Sequence, residues 1–308
     1  MMRSVVITGA DGFIGRHLVR CFAEKGFSVY AITIKDSPLV KTIENIDNVR
    51  IFQVNLSDWD EFCWELPQNP DAFIHLAWAG VSPEQRDDIS LQNDNVALAL
   101  KTVRLAATLH AQRFILPGST MEYAYSNQVI NSSTCPSPQN AYGAAKIAAR
   151  YLCGALCEDL HIPFICAVIS GIYAADRRDN NVIYYTIRTL LEGQKPKLTR
   201  LEQKWDYVHI DDVTQAFLLI TQKGRGGAFY AIGHGDNCPL SEYIMTIRDL
   251  INPSLPLGIG EIPYKDARLP SSCVDLSSIH DDTGYTPSVS FRQGIAGVIG
   301  SIREELRK

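Results

Sequence analysis

Near its beginning the chain reads Ser4-Val5-Val6-Ile7-Thr8-Gly9-Ala10-Asp11-Gly12-Phe13-Ile14-Gly15. The apolar start of this stretch is typical of a buried parallel strand, and a helix is expected over residues 13–25, before Gly26. Between them, glycines at positions 9, 12 and 15 permit a tight turn, a close approach to a pyrophosphate and close packing of the helix on the strand. The helix N-terminus adds unpaired N–H groups and a partial positive charge. The stretch therefore predicts a turn that binds a dinucleotide.

The strand pattern recurs along the first half of the chain. Further strands are expected at residues 28–34, 49–54, 72–76, 113–117 and 163–170. Apolar residues at helical spacing predict long helices over 89–110 and 142–160. Because strands and helices alternate, we expect an α/β fold with a doubly wound parallel sheet. Residues 206–212 and 228–232 are expected to form strands that return to this first domain.

Beyond residue 170 the alternation weakens, and residues 252–260 are rich in Pro and Gly. This change predicts a discontinuous division of the chain. Residues 1–170 and 206–235 would form the dinucleotide-binding domain. Residues 171–205 and 236–308 would form a smaller α/β lobe that binds the substrate.

Composition limits the classes of partner. The chain has 308 residues, 46% of them hydrophobic, and a net charge of -5 without a long basic run, which argues against nucleic acid. Eight scattered cysteines without a CxxC pair predict reduced thiols. No stretch approaches the roughly 20 apolar residues of a membrane span. We therefore expect a cytoplasmic protein without a membrane partner.

A second group of residues has the composition needed for proton transfer. Tyr142 and Lys146 lie four residues apart on a predicted helix, so they share a face. A free tyrosine has a pKa of about 10, and we expect the Lys146 ammonium and a positive nicotinamide ring to lower it. Tyr142 would then exchange a proton with a hydroxyl group while hydride moves at the same carbon, and Lys146 would hold the cofactor ribose. Ser119, at the end of a predicted strand, would hydrogen-bond the substrate oxygen.

The end of the second strand bears on the choice of cofactor. An acidic residue there would bind the ribose hydroxyls of NAD, but the expected position is Thr33, followed by Lys35. Because this position has no carboxylate, nothing there would repel a 2′-phosphate. Lys35 or Arg16 could attract one, so NADP(H) is favoured. In the alternative, both cations are solvated and Asp36 turns back to the ribose, which would leave NAD possible.

These residues resemble the NAD(P)-dependent epimerase/dehydratase family of nucleotide-sugar enzymes, and the resemblance spans nearly the whole chain. The GxxGxxG spacing is the version used by short-chain dehydrogenases/reductases of the extended type. Further matching stretches are Asn55-Leu56-Ser57-Asp58, His75-Leu76-Ala77, Asn95-Val96, Gly118-Ser119-Thr120-Met121-Glu122-Tyr123 and Trp205-Asp206-Tyr207-Val208-His209-Ile210-Asp211-Asp212-Val213. The resemblance implies a Rossmann-type fold that carries both a dinucleotide and a nucleotide sugar.

The resemblance also implies particular contacts. Cofactor contacts are expected at Gly9, Gly12, Phe13, Ile14, Gly15, Thr33, Lys35, Asn55, Leu56, Leu76, Ala77, Tyr142 and Lys146. Substrate contacts are expected at Trp78, Thr120, Arg177 and Arg268. Arg268 would lie against the sugar-nucleotide diphosphate, whereas Arg177 could instead belong to a solvated loop and Trp78 to the core or the cofactor wall.

Two departures from the family pattern narrow the expected reaction. Family 4,6-dehydratases carry Asp-Glu directly after the catalytic Ser or Thr, but this chain has Thr120 and Met121 there, so dehydration is disfavoured. The Asn-x-Tyr-Gly-Pro segment of the family is replaced by Gly171-Ile172-Tyr173-Ala174-Ala175, which lacks the asparagine that often touches the substrate phosphate. What remains is reduction or epimerisation at C4.

The resemblance implies that 4-epimerases of the family retain NAD, whereas reductases exchange their cofactor with the reduced NADP pool at each turnover. Because the residues favour NADP(H), we expect a reductase that acts at C4 of a nucleotide 4-keto-6-deoxy hexose. The alternative is a nucleotide-sugar 4-epimerase, similar to UDP-glucose 4-epimerase, with bound NAD. An alternative of another class is a non-catalytic dinucleotide-sensing protein, although such proteins often lose the tyrosine or the lysine. A homodimer through residues 89–110 and 141–160 is expected. No metal is expected, since His209, Asp211 and Asp212 fit a strand end followed by helix-capping carboxylates.

Overall fold

The computed structural model describes residues 3–178, 181–264 and 268–307. Residues 1–2, 179–180, 265–267 and 308, which the predicted domain division includes, lie outside the described residues. The strands are β1 (Ser4–Thr8), β2 (Ser28–Thr33), β3 (Val49–Gln53), β4 (Ala72–His75), β5 (Phe114–Ser119), β6 (Phe164–Ile169), β7 (Gly171–Tyr173), β8 (Lys197–Leu198), β9 (Lys204–Trp205), β10 (Tyr207–His209), β11 (Phe229–Ile232), β12 (Cys238–Pro239) and β13 (Gly258–Ile259).

The helices are α1 (Phe13–Glu24), α2 (Ile89–Thr108), α3 (Ala141–Asp159), α4 (Val182–Leu191), α5 (Ile210–Lys223), α6 (Leu240–Ile251), α7 (Ser277–Thr283) and α8 (Phe291–Glu305). Short 3₁₀ turns cover Val40–Thr42, Leu56–Glu61, Cys63–Glu65 and Thr120–Glu122. No helix within the described ranges is long and apolar enough to cross a membrane.

Seven strands form one parallel sheet in the order β11-β6-β5-β4-β1-β2-β3. The strand order reverses between β1 and β4, which is the switch point where ligands bind in open α/β sheets. The prediction of a Rossmann-type, doubly wound parallel sheet is confirmed.

The alternation of side chains in β1 explains the two layers that cover this sheet. Val5 and Ile7 point into a cluster that includes apolar residues of α1 and α5, whereas Val6 points into another that includes residues of α2 and α3. Successive residues of a strand face opposite sides, so an unbroken apolar strand needs a helical layer on each.

The expected strand at 206–212 is wrong in two respects. Only Tyr207–His209 is extended, and α5 begins at Ile210. Moreover, β10 pairs with β7 in a separate two-stranded ladder, so it does not return to the main sheet. Of the two expected returning strands, only β11 joins that sheet, at its edge beside β6.

A separate apolar cluster lies between α4, α6 and α8. Tyr207, Tyr243 and Phe291 form its aromatic centre, and the rings of Tyr243 and Phe291 are 4.6 Å apart in an edge-to-face arrangement. Most of its residues come from the ranges expected to form the smaller lobe. The exact division into domains stays a prediction.

Candidate active site

The glycine turn has the close contacts expected of a phosphate-binding loop. Gly9 has a φ of +63°, and a Cβ atom there would lie 2.7 Å from the backbone nitrogen of Ala77, just beyond β4. A Cβ on Gly15 would lie 2.2 Å from the Gly9 carbonyl oxygen. No side chain caps the start of α1 at Gly12, so its N–H groups stay available to an anion. The cradle therefore fits a dinucleotide pyrophosphate.

The other residues expected to contact the cofactor lie at the same edge of the sheet. The Leu76 and Ala77 backbone N–H groups donate to the Thr8 carbonyl and hydroxyl oxygens, at 3.1 and 3.3 Å, which holds the end of β4 beside the glycine turn. Asn55 follows β3 and accepts the N–H of Ser57, whereas Leu56 is buried in the core. Asn55 is exposed at this edge, and the contacts of both residues with a cofactor stay predictions.

One carboxylate that was not predicted to face the cofactor lies at the ends of β1 and β2. Asp11, in the glycine turn, accepts a hydrogen bond from the Ser37 hydroxyl, and both residues are buried. Thr33 is also buried and its hydroxyl has no hydrogen-bond partner within the described residues, while Lys35 is exposed. A charged residue inside a phosphate-binding turn was the signal that could have identified Asp11.

Arg16 and Arg177 lie beside the same turn. Arg16 forms an ion pair of 2.8 Å with Asp176, and the Arg177 guanidinium stacks 4.9 Å from the centre of the Phe13 ring. One of the two cations expected to attract a 2′-phosphate is thus paired with a carboxylate. Arg177, expected to contact the substrate, lies against a residue expected to contact the cofactor.

The end of β5 presents Ser119 to the cleft. The Ser119 hydroxyl accepts the Met121 N–H at 3.2 Å, and the Glu122 carboxylate accepts the Ser119 N–H at 2.7 Å. The bond to Glu122 is one half of a capping box over the 3₁₀ turn Thr120–Glu122, and in the other half the Ser119 side chain accepts the Glu122 N–H. The Ser-x-x-Glu spacing could have revealed this role of Glu122 from the sequence.

The start of α3 places Tyr142 next to Ser119. Asn140 caps the helix by accepting the N–H of Gly143, and the Tyr142 N–H donates to the Arg86 carbonyl at 2.9 Å. A Cβ on Gly143 would lie 2.5 Å from the Met121 carbonyl oxygen, so this glycine lets α3 approach the turn that follows Ser119. The Ser119 side chain is thereby close enough to the Tyr142 phenol to favour its ionised form.

Lys146 was expected to lower the pKa of Tyr142. Instead, the protein groups around the phenol raise this pKa. Burial raises the pKa of Tyr142 to about 12, and the Glu122 carboxylate adds to this, whereas the Ser119 hydrogen bond and Arg86 oppose it. The Lys146 ammonium lies 5.8 Å from the centre of the Tyr142 ring. Since the pKa is high, the phenol is protonated at neutral pH and suited to donate a proton.

Lys146 is almost fully buried one turn further along α3. Its ammonium donates to the Pro117 carbonyl at 3.2 Å and lies 3.7 Å from the centre of the Trp78 ring. Burial lowers the pKa of Lys146. Trp78 also donates its indole N–H to Gln92 at 2.9 Å, so it forms part of the wall that holds the lysine.

Two other expected substrate residues lie beyond Ser119. Thr120 is buried in the 3₁₀ turn, and the Arg268 guanidinium stacks 4.3 Å from the centre of the Tyr125 ring. A cavity of about 300 Å³ is lined by residues that follow each of them in the chain, 127–129 and 269–271, together with residues 202–204 and others. The described residues thus combine a turn for a dinucleotide, a Ser–Tyr–Lys group and a cavity with a mixed polar and apolar lining.

His209, Asp211 and Asp212 have hydrogen-bond partners within the protein. His209, not a carboxylate, caps α5 by accepting the Asp211 N–H, and Asp212 is buried and accepts the N–H groups of Ser288 and Val289. No cluster within the described ranges has the make-up of a metal site. The bonds of Asp212 hold the start of α5 against the residues that precede α8.

Sequence comparison gives matches over most of the chain. The model of the NAD dependent epimerase/dehydratase family matches residues 5–233. CDP-abequose synthase of Salmonella muenchen is 24% identical over 296 residues, covering 95% of this chain and 96% of the relative. GDP-6-deoxy-D-mannose reductase of Pseudomonas aeruginosa is 24% identical over 329 residues, covering 100% of each.

Structure comparison agrees on the fold. UDP-glucuronic acid 4-epimerase from Bacillus cereus, in complex with UDP-glucuronic acid and NAD, superposes with a TM-score of 0.85 at 18% identity. The match covers 98% of this chain and 99% of that one.

Proposed function

The chain belongs to the NAD-dependent epimerase/dehydratase family of nucleotide-sugar enzymes, and we propose that it reduces the C4 carbonyl of a nucleotide-diphosphate 4-keto-6-deoxy hexose. One observation carries the proposal: α3 packs on the turn that follows Ser119, which places a protonated Tyr142 beside Ser119, without a carboxylate at positions 120 and 121.

The proposed chemistry assigns a separate task to each side chain. A reduced nicotinamide, when bound in the cradle, would supply the hydride that C4 receives. Tyr142 donates its phenolic proton to the C4 oxygen, which becomes the hydroxyl of the product. Ser119 hydrogen-bonds the same oxygen and stabilises the charge that develops on it. Lys146 holds the cofactor ribose from its buried position beside Trp78.

The residues after Ser119 argue against elimination of water. Loss of water from the sugar needs an acid and a base on the ring, and Thr120 and Met121 provide neither at neutral pH. A single proton donor next to a hydride site is enough for reduction. The Pseudomonas relative, which matches over the full length, is named as a reductase of a deoxy sugar nucleotide. Its name therefore also supports reduction.

We place the nucleotide end of the substrate in the cavity near Arg268. The cavity volume of about 300 Å³ and its mixed lining suit a base or a ribose. Arg268, stacked on Tyr125, would meet the diphosphate between this cavity and Ser119. Trp78 and Thr120 would bound the sugar.

For the cofactor, we propose NAD(H) in place of the NADP(H) that the sequence favoured. The sequence preference depended on the lack of a carboxylate near the ribose and on two available cations. The buried Asp11 now stands at the end of β1 beside Ser37, and Arg16 is paired with Asp176. A 2′-phosphate near Asp11 would meet a like charge that solvent screens poorly.

The same carboxylate favours a second candidate function, a nucleotide-sugar 4-epimerase that retains NAD. An epimerase oxidises C4 and reduces it again on the other face, so it recycles one tightly held cofactor.

A homodimer formed through α2 and α3, and a cytoplasmic location, stay predictions of the sequence.

A panel of nucleotide 4-keto-6-deoxy hexoses would test the proposal, each offered with NADH or NADPH while the loss of nicotinamide absorbance is followed. We expect NADH-dependent reduction of at least one, and a loss of about 10²–10⁴-fold in Tyr142→Phe. Tyr151→Phe is the matched control, because Tyr151 lies exposed on the same helix. Purified protein with stoichiometric NAD that epimerises C4 without added cofactor would replace the reductase by the epimerase.

A further inference from the structure

Gln92 is a buried amide of α2 that lies behind the loop between β4 and α2. Only 1% of its surface is exposed. Its Oε1 atom accepts the indole N–H of Trp78 at 2.9 Å and the amide N–H of Asn95 at 3.5 Å. Its Nε2 atom donates to the carbonyl of Gly80 at 2.9 Å and to that of Gln85 at 3.5 Å. An indole N–H can only donate and a carbonyl can only accept, so these partners require both ends of an amide.

The backbone of the loop leaves room for this amide. Gly80 has a φ of +70°, and a Cβ atom there would lie 2.9 Å from the Gln92 Nε2 atom and 2.6 Å from a methyl carbon of Leu91. Asn95 supports the same loop, since it accepts the Ala79 N–H at 2.8 Å and donates to the Ala79 carbonyl at 2.9 Å. The Gln92 side chain is thus held in one orientation, with its oxygen toward the indole.

Trp78 carries this arrangement into the candidate active site. The centre of its ring lies 3.7 Å from the Lys146 ammonium, and the ring meets that of Tyr142 edge to face at 6.2 Å. Trp78 is only half-buried, so water could satisfy its indole N–H in other orientations of the ring. The bond to Gln92 selects the orientation in which the ring lies on the ammonium.

Lys146 needs such a contact to be held in one place. Its ammonium ends a flexible four-carbon stem and has three N–H donors, of which the Pro117 carbonyl accepts one at 3.2 Å. One hydrogen bond leaves the ammonium free to swing about that carbonyl. The face of an aromatic ring attracts a cation, so the Trp78 ring holds the ammonium from a second direction.

We propose that Gln92 is a positioning residue that orients Trp78 and, through the face of its ring, fixes the Lys146 ammonium beside Tyr142. Two contacts carry the link, the 2.9 Å bond from Trp78 to Gln92 and the 3.7 Å approach of Lys146 to the ring. The use of the ammonium in holding a cofactor ribose rests on the proposed function, whereas its placement by the ring does not.

The first test observes Trp78 in protein without cofactor or sugar. Labelling with 5-fluorotryptophan gives a fluorine NMR signal for each of the four tryptophans, and Trp78→Phe identifies that of Trp78. Lys146→Met removes the cation from the ring, and Gln92→Met removes the amide at similar size. We expect each change to move the Trp78 signal more than the other three. An unmoved Trp78 signal in either variant would overturn the proposal.

The matched control for this test is Asn93→Met. Asn93 is an exposed amide next to Gln92 on α2, so its replacement alters the same helix without touching the loop. All four fluorine signals should stay in place in this variant, and its cofactor affinity should equal that of the wild type.

The second test asks whether Gln92 acts through Trp78. Gln92→Met should weaken the binding of NADH about tenfold, and Trp78→Phe, which keeps an aromatic ring without the N–H, should do the same. Because both changes break one link, the double variant should bind little more weakly than either single one. Losses that multiply to about a hundredfold would overturn the proposal. With a substrate, Gln92→Met should raise the KM for NADH more than it lowers kcat.

The unchanged protein keeps the proposal testable if Gln92→Met does not fold. The Trp78 indole N–H, bonded to a buried amide, should exchange with deuterium at least about tenfold more slowly than that of Trp64, which is 69% exposed. Equal exchange rates would overturn the proposal. A protein that bound no dinucleotide would remove the proposed function, while the fluorine signals and the exchange rates would still decide whether Gln92 and Trp78 place Lys146.

Discussion

The substitution Gly15→Ala tests whether the glycine turn is built as tightly as its geometry indicates. A Cβ at position 15 would lie 2.2 Å from the Gly9 carbonyl oxygen and 2.8 Å from two backbone atoms of Ala10, whereas real Cβ contacts almost never fall below 3.0 Å. The atoms in conflict belong to the backbone, so no side chain can rotate to relieve them. Either α1 must move away from β1, or the turn must open.

Both responses disturb the same structure that binds the cofactor. Overpacking of this kind costs about 1–3 kcal/mol of stability. The turn also carries the N–H groups for the pyrophosphate, so the loss of roughly 1.4 kcal/mol from binding would weaken cofactor affinity about tenfold. We expect losses of at least this size in both quantities.

The assay combines urea unfolding with cofactor titration followed by protein fluorescence. Gly297→Ala is the matched control, since Gly297 is also helical, in α8, and a Cβ there meets nothing within 4 Å. That variant should gain roughly 0.5–1 kcal/mol from helix propensity and bind the cofactor unchanged. If Gly15→Ala matched the wild type in both unfolding free energy and cofactor affinity, the inferred closeness of α1 and β1 would be incorrect.

Two buried acids give the remaining predictions. Asp11→Asn keeps the shape of the side chain and removes its charge, so the affinity for NADP relative to NAD should rise about tenfold in direct binding measurements; an unchanged ratio would show that Asp11 does not face the ribose. Burial raises the pKa of Asp206 from 3.8 to about 6, although the N–H groups of His234 and Gly235 oppose this. The stability that protonated Asp206 provides is therefore complete below its ordinary pKa of 3.8 and is lost as the pH rises through about 6. The Asp206→Asn variant lacks this dependence. The unfolding free energy of the wild type, relative to that of the variant, should therefore grow by a few kcal/mol as the pH falls from about 7 to about 4. Chemical unfolding at several pH values measures this difference, and a difference independent of pH would contradict the assignment.

The sequence determined the fold class and pointed to the Ser119, Tyr142 and Lys146 group, because both are encoded locally. A strand, three glycines and a helix follow one another within the first 25 residues, and their order alone specifies the βα turn. Tyr142 and Lys146 share a face because four residues make about one helical turn. Ser119 could be placed at the cleft because the carboxyl ends of parallel strands lie at one edge of a sheet.

Only the tertiary structure decided which groups act on these residues. Asp11 meets Ser37 across 26 positions, and Arg16 meets Asp176 across 160, so no window of sequence relates them. The pairing of β10 with β7 likewise joins segments that short-range patterns treat as independent. Glu122 is near Ser119 in sequence, but its burial against Lys146 and Arg150 depends on how α3 packs over β5. Periodicity gives the faces of an element, whereas charge and pKa depend on the elements packed against those faces.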